Sequence, residues 1–279
     1  MSYKTILVHC NDKRRVARIA SVGAGLADRF DAHLIGLSVS PPVHLIPAGM
    51  PGAPDVIVDD ARCQAYRKDN PELRQAFQEA AGRGKKVVHE WREHDADGSS
   101  VSAVALTAAR TTDLVVVAQK DTTWPLTSHL DIDDALILGS GRPVFLVPND
   151  GLASAAARRV LVAWSGTREA ARAVFDALPI LQQAEEVRVI AITGSDSAAQ
   201  EADADICTAL RRHKVNCRDI EHIATHVDVG RSLTQQAIAH NADLLVMGCY
   251  GHSRLREFVL GGATRHQLRH MMIPVLMSH

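Results

Sequence analysis

No run of about eighteen apolar residues occurs anywhere in the chain, so no membrane-spanning helix is expected. The opening Met1-Ser2-Tyr3-Lys4-Thr5-Ile6 has neither the apolar stretch nor the small-residue cleavage site of a signal peptide, and the expected compartment is the cytoplasm. An excess of one charge is missing too. Lys plus Arg number 31 against 32 Asp plus Glu, which leaves no basic field to draw the chain to nucleic acid or to an anionic membrane. The five cysteines, Cys10, Cys63, Cys207, Cys217 and Cys249, never stand as C-x2-C, which argues against a disulfide framework or a zinc ribbon and leaves reduced thiols as the default.

What is present is apolar side chain in quantity, 46% of 279 residues, enough for a soluble globular protein of one or two domains. An internal repeat favours two. Lys4-Thr5-Ile6-Leu7-Val8-His9-Cys10-Asn11 matches Arg158-Arg159-Val160-Leu161-Val162-Ala163-Trp164-Ser165 in having a basic start, a β-branched core and a polar stop. Thr112-Asp113-Leu114-Val115-Val116-Val117-Ala118 matches Ala242-Asp243-Leu244-Leu245-Val246-Met247-Gly248, and Pro143–Val147 matches Pro274–Met277. Three matched segments in the same order indicate a duplicated domain, with the halves at 1–148 and 158–279.

Within each half, short apolar runs alternate with helix-length segments, the pattern of right-handed βαβ crossovers and a doubly wound parallel sheet. Strands are expected near 4–10, 33–39, 86–91, 113–118 and 143–147, then near 159–164, 187–193, 217–223, 243–248 and 274–277. Helices are expected near 13–30, 60–82, 98–110 and 130–139, then near 167–183, 199–213, 229–241 and 262–271, with Pro179 bending or ending the helix that holds it. The first half is the longer, mainly through the Pro- and Gly-rich stretch Pro41 to Pro54, read as a surface excursion.

Chemistry concentrates near the C-terminus. Ala242-Asp243-Leu244-Leu245-Val246-Met247 reads as a strand buried on both faces, ended by Gly248. Gly248 and Gly251 permit positive φ and close approach of backbone amides to a ligand. Gly261 and Gly262 precede a helical Ala263-to-His270 segment, so their amides lie at a helix N-terminus, where an anion is favoured by about 0.3–1 kcal/mol. His252, Arg254 and Arg256 make the intervening loop basic. The first half has no such device: after Ala118 no glycine comes before Gly139, and Asp131, Asp133 and Asp134 make the segment acidic and repellent to phosphate.

The glycine spacing resembles the nucleotide-binding signature of the universal stress proteins, G-x2-G-x9-G-[S/T], at Gly248, Gly251 and Gly261, followed by that family's usual ending in Leu268-Arg269-His270 and Ile273-Pro274-Val275-Leu276-Met277. The resemblance implies two tandem Rossmann-like α/β domains of the adenine-nucleotide alpha-hydrolase type. They would pair through their last strands as an internal pseudo-dimer that covers both edges. The first domain would be degenerate. The second would bind ATP or another adenine nucleotide, with or without Mg, through Ser165, Ile192, Met247, Gly248, Gly251, His252, Arg254, Gly261, Gly262, Ala263 and Thr264. Two positions depart from the family pattern: Gly262 stands where Ser or Thr is usual, leaving Thr264 to supply a hydroxyl, and Ser165 stands where an Asp usually meets the nucleotide.

Three functional classes follow. The favoured one is a stress-related regulator or sensor that binds an adenine nucleotide, with a regulatory protein partner and a further homodimer both compatible with the chain. A slow ATPase would use the same site, although no general base, metal-binding carboxylate pair or Walker lysine stands near the glycines. A nucleotide-free scaffold is the third. His266 and His270 have metal-compatible spacing, but nothing nearby completes a ligand set, so no metal site is expected.

Overall fold

The computed structural model describes residues 2–41, 60–83, 87–96, 99–121, 123, 132–193, 200–224, 228–249 and 262–279. In the first half these form β1 (Thr5–His9), α1 (Val16–Phe30), β2 (His33–Ser40), α2 (Asp60–Ala81), β3 (His89–Asp95), α3 (Val101–Ala109), β4 (Leu114–Ala118), α4 (Asp133–Gly139) and β5 (Val144–Val147). The second half contributes β6 (Arg159–Trp164), α5 (Arg168–Asp176), α6 (Leu178–Leu181), β7 (Glu186–Thr193), α7 (Gln200–Arg212), β8 (Glu221–Ala224), α8 (Val229–Ala239), β9 (Leu244–Gly248), α9 (Ala263–His270) and β10 (Val275–Ser278). The expected excursion after Pro41 lies outside the described residues.

The ten strands make one sheet in the order β3-β2-β1-β4-β5-β10-β9-β6-β7-β8, so each half repeats the same internal order and the two meet at their last strands. Every pairing within a half is parallel. The one between halves is antiparallel, with Val275 opposite Leu146, Leu276 opposite Phe145 and Met277 opposite Val144. The internal pseudo-dimer that the resemblance implies is thus present, and strands that would otherwise be edges lie at the centre, wholly buried. The true edges, β3 and β8, are partly exposed, and β3 carries His89, Glu90, Arg92, Glu93, His94 and Asp95, charged and polar groups that discourage edge pairing. α5 stops at Asp176 and a new turn begins with Pro179 in its first positions, where the missing N–H costs nothing.

Both halves solve the same backbone problem with the same residue. The first amides of β1 and β6 need acceptors, and an aspartate just before the fourth strand of each half supplies them. Asp113 Oδ2 accepts from the N–H groups of Lys4 at 2.7 Å and Thr5 at 2.9 Å. Asp243 accepts from Arg158 at 2.9 Å and Arg159 at 2.8 Å. Hydrogen bonds to a charged group contribute about 1.5–3 kcal/mol. Replacing Asp243 by alanine is therefore expected to lower stability by about 2 kcal/mol, read as a shift of the urea midpoint at unchanged slope.

Candidate functional site

In an open parallel sheet a ligand crevice forms beyond the carboxyl ends of the strands, where the strand order reverses. The reversals fall between β1 and β4 and between β6 and β9. In the second half, β6 leads through half-buried Trp164 to exposed Ser165 and Gly166, the latter at φ +66, which glycine adopts without strain. Thr167 caps α5, its Oγ1 accepting from the Ala170 N–H at 3.3 Å and lying 3.1 Å from Ser165 Oγ. Glu169, in the first turn of α5, accepts from its own backbone N–H, and this with Arg168 at 2.9 Å holds its carboxyl below the usual range despite burial. The N-terminus of α5 thus already carries an anion from the chain itself.

Next to it, β9 ends with buried Met247, then Gly248 and buried Cys249. Gly248 is not among the positive-φ glycines, so it does not use the freedom that its lack of a side chain permits. What its missing side chain admits is the backbone of α5: a Cβ there would lie 2.4 Å from both Ala170 N and the Glu169 carbonyl carbon. Cys249 turns towards the last strand, its Sγ donating to the Ser278 carbonyl at 3.1 Å, while His279 Nδ1 lies 3.0 Å from the Cys249 carbonyl oxygen. Ile192, near the end of β7, is half-buried and packs on the core.

α9 follows β9 and leads into β10, so its N-terminus opens at the carboxyl end of the sheet. Gly262 is its N-cap, with φ −53 and ψ 160, no side-chain capping bond and no acidic residue in the first turn. Thr264 is buried in that turn. The helix is held against α8 through Gly230, where a Cβ would meet His266 Cβ at 2.4 Å, and through Gln267 Nε2, which donates to the Gly230 carbonyl at 2.8 Å. His266 Nδ1 sits 3.7 Å from Asp228 Oδ1, its ring centre lies 4.9 Å from that of His270 with the planes tilted by 54°, and burial lowers its pKa. Among the described residues no group of three His, Cys, Asp or Glu is arranged to hold a metal. Gly251, His252, Arg254 and Gly261 of the motif lie outside the described residues.

The first half shows what the same crevice becomes when the chain fills it. Buried Asp12 follows β1 and accepts from the N–H and side chain of Arg14 and from Arg15 Nε at 2.9 Å. Arg15, also buried, donates onward to the Gln119 carbonyl at 2.7 Å, spanning from the end of β1 to the end of β4. Arg14 reaches Asp121 at 3.2 Å; burial opposes ionisation there, but hydrogen bonds from Thr123 together with the two arginines hold that carboxyl below its ordinary pKa. His9 is kept neutral by burial, with Arg15 adding to the effect, its pKa pushed down to about 3. Towards β2 the crevice is closed by Tyr66, whose hydroxyl lies 3.0 Å from Ser38 Oγ and donates to the Cys10 carbonyl at 3.3 Å. α4 begins with Asp133 and Asp134 where α9 begins with Ala263 and Thr264. Sequence reasoning did not anticipate the Arg15 bridge. The signal was there in the repeat, where Arg15 falls opposite Glu169, a reversal of charge at one position.

Residues 156–279 match the model of the universal stress protein family. No curated protein sequence matches the chain. A universal stress protein of Archaeoglobus fulgidus DSM 4304 is similar in structure, with TM-score 0.71 at 14% identity over 98% of this chain and 95% of the other. A functionally unknown protein of Pseudomonas aeruginosa PAO1 gives 0.58 at 14% identity, over 99% of this chain and 92% of its own. The cytoplasmic domain of a prokaryotic cation chloride cotransporter gives 0.50 at 11% identity, over 98% and 94%. These likenesses establish the tandem fold, and the last of them shows that this fold occurs in more than one functional setting.

Proposed function

We propose that the chain is a member of the universal stress protein family, whose model its residues 156–279 match, that the second half binds an adenine nucleotide and that the protein acts as a nucleotide-responsive regulator in the stress response. The halves are taken as domains at 1–148 and 158–279, the first structural and the second ligand-binding. One observation carries this reading: of two helices at equivalent places in the repeat, α4 opens on two aspartates and α9 opens on none, with Gly262 as an N-cap that offers no side chain. A helix N-terminus carries about half a positive charge and outward-pointing amides. The first half meets that charge with carboxylates from the chain; the second is suited to meet it with phosphate.

In this arrangement Gly262, Ala263 and Thr264 receive the phosphates, with Gly251, His252, Arg254 and Gly261 contributing from the motif loop. Ser165 stands at the end of β6, and Ile192 supplies backbone and an apolar wall for the base. Met247 and Gly248 form the floor. The missing Asp at position 165 and the missing hydroxyl at position 262 weaken the contacts without removing the amides.

Freshly purified protein, denatured and analysed by chromatography, is expected to release an adenine nucleotide, and titration calorimetry to give one site per chain. Gly261→Val is expected to weaken binding at least tenfold, about 1.4 kcal/mol, because a branched side chain hinders the close approach of phosphate to backbone that glycine permits. Unchanged affinity, or two nucleotides per chain, would contradict the assignment.

A further inference from the structure

At the opposite end of the second half's strands from the proposed nucleotide crevice, the amino ends of β6 and β7 frame a cleft bordered by the residues that follow α8. Arg159, Leu161, Glu186, Arg188, His240 and Ala242 line it, and its open space is about 180 Å³. Pockets that take drug-sized molecules run from about 300 Å³ upwards, so this one has room only for a small ion or molecule. Register places Arg159, Glu186 and Arg188 on one face of the sheet, with Arg159 opposite Glu186 and Leu161 opposite Arg188. The internal repeat shows how unusual Arg188 is. Leu161 corresponds to Leu7, and Leu7 lies opposite Ile35, an apolar side chain only 2% exposed. The second half thus carries a guanidinium, its side chain 31% exposed, where the first packs a core isoleucine.

We propose that this cleft binds a small oxyanion, a phosphate or carboxylate group, at a site separate from the nucleotide crevice. Its own acid is already engaged. Glu186 Oε1 accepts from Arg188 Nε at 3.0 Å and lies 2.6 Å from Arg218 Nε. The Nη groups of Arg188 have no protein partner among the described residues, and a guanidinium held through Nε presents them as a fork suited to an oxyanion. Arg159 is fixed in the same manner, donating through Nε to the Asn241 carbonyl at 2.8 Å, which also offsets the negative end of α8. His240 Nε2 is buried without a hydrogen-bond partner and lies 3.7 Å from Glu221 Oε2, too far to bond. Buried polar atoms are normally paired. As Nε2–H it supplies a further donor to an anion seated beside the arginines. Arg159, Arg188 and Arg218 stand against Glu186 and Glu221, so the cleft keeps a net positive charge that an oxyanion neutralises.

The test is arginine modification by phenylglyoxal in native full-length protein, mapped by mass spectrometry, with inorganic phosphate, acetate or chloride at equal ionic strength. Saturating phosphate is expected to slow modification of Arg188 about tenfold relative to chloride, while exposed Arg212 on α7 reacts at an unchanged rate. Protection by phosphate, by acetate or by both assigns the cleft a tetrahedral oxyanion, a planar one or either. Gly261→Val, which disables the proposed nucleotide cradle, is expected to leave the protection of Arg188 intact. In that background Arg188→Ile, which carries the first half's side chain at this place, is expected to lower phosphate affinity about tenfold by titration calorimetry. The proposal fails if Arg188 reacts equally fast in all three salts, if exposed arginines are protected alike, if Gly261→Val abolishes the protection, or if Arg188→Ile binds phosphate undiminished. Purified protein that releases no nucleotide would sink the nucleotide assignment and leave this one standing.

Discussion

Replacing Gly248 with alanine is expected to destabilise the protein by about 3 kcal/mol, at the upper end of what one inserted methyl normally costs in a packed interior. The reason is the identity of the atoms in the way. A methyl carbon at this position would stand 2.4 Å from Ala170 N and from the Glu169 carbonyl carbon, and 2.8 Å from the Glu169 oxygen. Ordinary contact for such pairs is about 3.5 Å, so α5 would have to retreat by roughly 1 Å. These are backbone atoms of a helix whose first turn is tied down by the Thr167 cap. α5 also packs on both β9 and β10, so a rigid shift opens gaps elsewhere. The test is urea unfolding of nucleotide-free protein, in which the midpoint should fall with the slope retained. If the midpoint holds while nucleotide affinity drops, the space beside Gly248 belongs to a ligand and the packing account is wrong.

Gly248 marks the limit of what was legible from the chain. The duplicated order of segments, the buried character of β9 and the break at Pro179 could be read beforehand from repeated or local signals, and the pairing of the two last strands from the family resemblance. A glycine at a strand end reports only that a side chain is not tolerated, and whether ligand or protein backbone takes the room is a tertiary matter. The edge strands were placed less well. β3 was expected near 86–91 and runs from His89 to Asp95, and β8 was expected near 217–223 and runs from Glu221 to Ala224, with Cys217 forming an isolated bridge ahead of it. Both lie half in solvent, so their composition is charged and their apolar signal faint. The Arg15 bridge went unseen for a different reason. A basic residue before a helix is ordinarily solvated, and only the fold brings it across to Gln119.

That bridge sets the other large expectation. Asp12→Ala removes the buried carboxylate facing Arg15, and breaking one side of a buried pair costs about 3–5 kcal/mol because the remaining charge stays out of water. The double substitution Asp12→Ala with Arg15→Met is expected to recover about half of that loss, since an apolar pair carries no stranded charge. A double-mutant cycle on the urea midpoint measures the coupling directly, and additive losses would show that the two residues act independently. The same energetics support the proposal of a single nucleotide per chain. A phosphate entering between β1 and β4 would have to displace the guanidinium of Arg15 from Asp12 and from the Gln119 carbonyl, and would meet the two aspartates at the start of α4. Between β6 and β9 the residue opposite Arg15 is Glu169, engaged with its own backbone and Arg168, and α9 begins without a carboxylate. One crevice has been closed with internal charge of both signs, and the other retains the helix terminus on which the proposed anionic ligand would depend.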